Sequence, residues 1–260
     1  MQAPVLLMAV LGVLPVMGAL SPARAQAPDP EFSLYLLIGQ SNMAGRGALD
    51  EESKKPHPRV VMLAKDLTWQ PATDPLHFDK AGAGVGPGLA CGLQLAAANP
   101  QTRIGLIPCA VGGTSIKRWV PGAQDQATKS QPYDDMLMRA REARKSGVLK
   151  GILWHQGESD RGAGDAYGQQ LADLIALLRK ELNAPEVPFI ACELSAFNPK
   201  DEAATRKFNE VLQGLSNKVK RYACVTAEGL NHKGDRLHYD TASARTLGQR
   251  YAAKLAEMSK

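Results

Sequence analysis

Aromatic residues are scarce: five Phe, six Tyr and three Trp make up 5% of the 260 residues. That excludes a long aromatic-lined groove, while leaving enough rings for a small sugar pocket. Cysteine is sparse too. Cys91, Cys109, Cys192 and Cys224 form no CxxC pair, and their wide spacing does not suit a zinc site. Buried free thiols and one disulfide both fit. The five His form no HxxxH or HExxH pattern and the carboxylates are scattered, so no metal is expected. No basic block carries interleaved aromatics, so the net charge of +5 does not point to nucleic acid. Gly82–Gly88 is glycine-rich but lacks GxGxxG spacing behind a clear strand, which argues against a dinucleotide fold. No long apolar run follows residue 20, so no membrane span is expected beyond the leader.

What is present begins with that leader. Val5 to Leu20 is almost wholly apolar, and Ala23-Arg24-Ala25 is a small-x-small cleavage site. Residues 1–25 therefore read as a signal peptide, although no Lys or Arg precedes the apolar run. An exported chain, periplasmic or extracellular, is the expectation. Residues 26–32 read as a linker, and residues 33–260 as one domain with one sizeable core.

Within that domain, apolar runs and amphipathic segments alternate. Strands are expected at Leu34–Ile38, Arg59–Leu63, Ile104–Pro108, Gly151–Trp154, Val187–Leu194 and Tyr222–Thr226. Helices are expected at Gly88–Ala98, Asp134–Lys145, Asp165–Leu182, Glu202–Leu215 and Thr241–Met258. Such alternation makes parallel βαβ units, and near-continuous apolar strands suit a sheet covered on both faces. The expectation is an α/β fold: a three-layer αβα sandwich around a parallel sheet of about five strands. Ligands of such sheets sit at the carboxyl ends of the strands.

Four segments fall at those ends. Ser41 follows the first strand in Gly39-Gln40-Ser41-Asn42. Its surroundings are not the GxSxG elbow, and by itself it reads as a helix cap as readily as a nucleophile. His238 precedes the last helix in Asp235-Arg236-Leu237-His238. A hydroxyl becomes a useful nucleophile when a neutral imidazole takes its proton, and a carboxylate three residues earlier can hold the other ring nitrogen. His155, at another strand end, is the rival base. Gly112-Gly113 lets backbone N–H groups approach a substrate closely. Gln156, in His155-Gln156-Gly157-Glu158, offers an amide donor. The Ser41 N–H, the Gly113 N–H and Gln156 together would make a three-donor oxyanion hole. Nucleophile, base, orienting acid and donors complete the set that acyl transfer requires.

GQSNMAGRG, VGPGLA, PCAVGGTSIKRW, KGILWHQGESD and DRLHYD occur in this order. Together they resemble carbohydrate esterase family six, close to the sialate O-acetylesterase-like proteins of the SGNH hydrolase superfamily. The resemblance spans about residues 33–257. It implies a flavodoxin-like αβα fold and deacetylation of an acetylated carbohydrate without a cofactor. It also implies Ser41, Asp235 and His238 as catalytic triad, with Gly113 and Gln156 in the oxyanion hole. HQGE stands where the wider superfamily has an Asn-containing block. Glu158 is then a reserve orienting acid, and Arg118 and Trp119 are candidate sugar contacts. Acetylated xylan and O-acetylated sialic acid are both open as substrates, and a non-catalytic carbohydrate-binding protein is the alternative of another class. Nothing in these patterns sets an oligomeric state.

Overall fold

The structure is a computed structural model, described here over residues 27–259. The expected signal peptide lies outside those residues. The first strand, β1 (Asp29–Gly39), starts earlier than expected. Residues 29–32 belong to it rather than to a linker, because Phe32 is buried edge-on against Trp69.

The remaining strands are β2 (Val60–Leu63), β3 (Trp69–Pro71), β4 (Arg103–Pro108), β5 (Gly147–His155), β6 (Phe189–Cys192) and β7 (Tyr222–Val225). They form one sheet in the order β3-β2-β4-β1-β5-β6-β7. The sheet has seven strands, not about five, and it is mixed. Six strands run parallel, while β3 pairs antiparallel with β2 as the return arm of a tight loop. Three residues ending in Pro71 leave almost no period-two signal, and proline in a sheet belongs at an edge, where β3 lies.

The helices are α1 (Ser41–Ala44), α2 (Pro87–Ala98), α3 (Pro132–Ala143), α4 (Asp165–Glu181), α5 (Glu202–Gly214) and α6 (Thr241–Met258). The alternation of β1 assigns them to layers. Phe32, Leu34, Leu36 and Ile38 share a core with α3, α4 and α5. Tyr35 and Leu37 share the opposite core with α2 and α6. Successive strand residues point to opposite faces, so one central strand seeds both cores. The result is the three-layer αβα sandwich.

Cys91, Cys109, Cys192 and Cys224 are free thiols. Burial pushes the Cys109 thiol up to about 11 and the Cys224 thiol up to about 12, so neither is a ready nucleophile. Among the described residues, no helix is long and apolar enough to cross a membrane.

Candidate active site

Three adjacent strands, β4, β1 and β5, deliver the central segments to one edge. β1 exits through Gly39, whose φ is +127°. A Cβ there would lie 2.1 Å from the His155 carbonyl oxygen, so only glycine lets the chain pass beside β5. The Gln40 N–H then donates to that same oxygen at 2.8 Å, and the single turn of α1 begins at Ser41.

The candidate base, His238, arrives on the loop before α6. A bridge between His232 and Tyr239 closes this loop, and Asp240 caps α6 by accepting from the Ser243 N–H. Within the loop, Asp235 Oδ1 accepts from the backbone N–H groups of Leu237 and His238 at 2.9 and 2.8 Å. Its Oδ2 lies 2.7 Å from His238 Nδ1. His238 Nε2 lies 3.0 Å from Ser41 Oγ. Residues 41, 235 and 238 thus form one continuous hydrogen-bonded chain, the geometry that base activation of a hydroxyl needs. Desolvation alone would raise the Asp235 carboxyl. The His238 backbone N–H, the His238 ring and the Leu237 N–H overcome it and hold the carboxyl at about 2. Asp235 is therefore ionised wherever an imidazole can act as base.

His155 is no rival. It is fully buried, lies edge-on to Tyr239, and places Nε2 3.3 Å from Glu158 Oε1.

The turn after β4 lies against Ser41. A Cβ on Gly112 would stand 3.5 Å from Ser41 Cβ and 2.4 Å from Arg46 Nη2. Side chains from residues 77–80 clamp this turn. Ala110 N–H donates to His77 Nδ1, Gly112 N–H to Asp79 Oδ2 at 2.8 Å, and Lys80 Nζ to the Gly112 carbonyl at 2.7 Å. Asp79 also pairs with the guanidinium of Arg46 at 2.9 Å, tying the turn to the segment after Ser41. Gly113 is exposed with φ +83°. No hydrogen bond of the described residues uses the backbone N–H of Ser41 or of Gly113.

Two expected roles need correction. Gln156 is fully buried, and its Nε2 lies within hydrogen-bond distance of Gln40 Oε1 (3.1 Å), Thr114 O (3.0 Å) and Asp160 Oδ2 (2.6 Å). Its Oε1 accepts from the Tyr167 hydroxyl. The amide is spent bolting β5 to the neighbouring turns and has no N–H left for an oxyanion. Trp119 is fully buried, edge-on to Trp154, with its indole N–H donating to Thr114 Oγ1. It is a core residue and cannot touch sugar. Arg118, at the end of a short 3₁₀ turn beyond Gly113, is exposed.

Sequence reasoning also missed contributors. Asp79, Lys80 and Arg46 hold the Gly112 turn, and Asp160 binds Ser115 Oγ and Ile116 N–H beyond it. Only Asp160, four residues after Gln156, had a local signal. Behind the turn, Phe78, Asp79, Val111, Met136 and Arg139 line a cavity of about 370 Å³.

Comparison with known proteins settles the lineage. The family model described as carbohydrate esterase, sialic acid-specific acetylesterase, matches residues 31–257. The chain belongs to this family. A probable carbohydrate esterase of Arabidopsis thaliana is 35% identical over 258 residues, covering 89% of this chain and 94% of that one. The X-ray structure of an Arabidopsis thaliana protein superposes on this esterase with a TM-score of 0.77 at 33% identity, over 88% of this chain and 99% of that chain. NanS superposes with a TM-score of 0.72 over 90% of this chain and 99% of that chain. At 17% identity, that likeness shows the fold alone. The fold of this carbohydrate esterase is SGNH-like, as expected from the order of its motifs.

Proposed function

We propose that this esterase removes O-acetyl groups from carbohydrate, in the manner of an acetylxylan esterase, through an acetyl-Ser41 intermediate. The observation that carries the reading is the unbroken chain from Asp235 through His238 to Ser41 Oγ. His238 takes the Ser41 proton as Ser41 attacks the acetyl carbonyl. The developing oxyanion is met by the N–H groups of Ser41 and Gly113. His238 then protonates the departing sugar oxygen, and water hydrolyses the acetyl-enzyme with His238 again as base. Arg118 stands ready as a contact to the sugar.

A second reading, sialate O-acetylesterase, draws on the family description and on charge at the rim. Lys80, on the Gly112 carbonyl, and Arg236, beside Asp235 in the loop, are exposed, and the exposed Lys233 lies 3.8 Å from Asp235 Oδ2. Such a rim favours an anionic sugar. Acetylated xylan and O-acetylated sialic acid assayed side by side decide between the two.

Acetate release from a chromogenic acetyl ester tests catalysis itself. Ser41→Ala should lower kcat by about 10⁶-fold, as loss of a serine nucleophile does elsewhere, with thermal unfolding nearly unchanged. Wild-type turnover in that variant would remove Ser41 from the mechanism. No acetate release from the wild-type chain would favour a non-catalytic carbohydrate-binding role. Wild-type turnover in His238→Ala would overturn the base. We also propose that the leader directs export, with cleavage after Ala25. A secreted form whose N-terminus is not Gln26 would contradict that cut.

A further inference from the structure

One buried polar side chain plays no part in the scheme above. Asn42 directly follows the nucleophile and is 4% exposed. Its Nδ2 donates to Glu158 Oε1 at 2.6 Å and to the Leu237 carbonyl at 3.1 Å. Its Oδ1 accepts from the Tyr239 N–H at 3.1 Å. Leu237 and Tyr239 are the two neighbours of His238. We propose that Asn42, anchored by Glu158, is a positioning residue that sets the His238 ring over Ser41. The inference rests on His238 being the base.

The loop explains the need. Residues 233–237 are exposed, and the Asp235 bonds are internal to the loop. They shape it without fastening it to β1. Among the described hydrogen bonds, only three join residues 233–239 to residues 41–44: the Ser41–His238 contact and the two that Asn42 makes to the loop backbone. Asn42 therefore measures the separation between nucleophile and base through one planar amide.

Residue chemistry is specific here. A primary amide presents two donors and an acceptor from one short side chain. Aspartate would offer no hydrogen to the Leu237 carbonyl and would set a second negative charge against Glu158. Glu158 is suited to the anchor role. Its side chain is 5% exposed and faces His155 and Asn42. Burial pushes its carboxyl up, but the neighbouring imidazole of His155 and the Asn42 amide more than reverse this, to about 2. Glu158 has no opening to His238 itself, because both nitrogens of that ring are engaged by Asp235 and Ser41. It acts through Asn42.

The test compares Asn42→Ala, Asn42→Asp and Glu158→Leu with wild type and with Ser41→Ala, on a chromogenic acetyl ester. A displacement of about 1 Å in a reacting group costs roughly 10²-fold, so Asn42→Ala should lose about that factor in kcat with KM within about twofold of wild type. Asn42→Asp should lose at least tenfold. Glu158→Leu should behave like Asn42→Ala, and the double variant should be no worse than either single change, as for residues acting through one another. Labelling of Ser41 by a fluorophosphonate should slow in step with kcat. The far-downfield proton resonance of the His238 Nδ1–H should persist, because the Asp235 pair is internal to the loop. Wild-type kcat in folded Asn42→Ala, or in folded Asn42→Asp if the alanine variant does not fold, overturns the proposal. So does a slowing accompanied by loss of the downfield proton. If Ser41→Ala keeps its activity, the esterase reading has failed. If Ser41→Ala is inactive and the Asn42 variants are not impaired, only this inference has failed.

Discussion

Ser41 follows a strand buried on both faces, whereas His238 stands in a loop whose residues 233–237 are exposed. The first is placed by main-chain sterics: Gly39 passes the His155 carbonyl where no side chain fits, and Gln40 is pinned to that same oxygen. The second is placed by a carboxylate binding its own loop, with Asn42 as the tether. A nucleophile can belong to the rigid frame because it is needed in one position. In the proposed mechanism the base exchanges a proton with both the nucleophile and a leaving oxygen, a task that suits an exposed loop.

The contrast can be broken from either side. The loop should respond in activity. Asp235→Asn should lower kcat by about 10⁴-fold, as a misoriented His base does elsewhere, with little change in the unfolding temperature. If Glu158→Gln costs more activity than Asp235→Asn, the orienting acid is Glu158 instead. The frame should respond in stability. Gly39→Ala meets a carbonyl oxygen at 2.1 Å and a φ of +127°, and should cost about 4 kcal/mol or more, read by denaturant unfolding. A soluble variant of wild-type stability would show that Gly39 is not what aims Ser41. Gln156→Ala leaves buried partners unsatisfied and should cost about 1–3 kcal/mol, with kcat of the folded fraction near wild type. A drop of 10² or more in kcat at unchanged stability would restore Gln156 to the oxyanion hole.

The smallest effect concerns neither half. Burial raises Asp74 from 3.8 to about 7, against the opposing influence of the Gly86 N–H and Arg245 and with Asp50 adding to it. The folded state then keeps a proton that the unfolded chain releases near 3.8. Stability should therefore fall as pH rises from about 4 to about 7. Asp74→Asn should flatten that slope and raise Tm at pH 8, by about 2–4 °C for each kcal/mol recovered. An unchanged slope would show that Asp74 ionises freely.

How far each feature could be read from sequence follows the distance over which it is encoded. Asp235 and His238 lie three residues apart and bind within one turn, so their pairing was visible locally. All six parallel strands and the five long helices carry strong patterns. β3 is three residues long and does not. Gln156 looked like a free donor because two of its partners, Gln40 and Thr114, lie 116 and 42 residues away. Trp119 followed a glycine turn and resembled a surface ring, but the chain folds it back onto Trp154. Asn42 reads as an ordinary neighbour of Ser41 until residues 195 positions away come to meet it.

That pairing of indoles has a practical outcome. Trp119 and Trp154 are both sealed from solvent, and the remaining Trp69 lies at the far edge of the sheet on β3. Intrinsic emission should shift to the red when the sandwich comes apart, yet stay constant as sugar is titrated in. The protein carries its own optical gauge of unfolding, and that gauge is blind to its substrate.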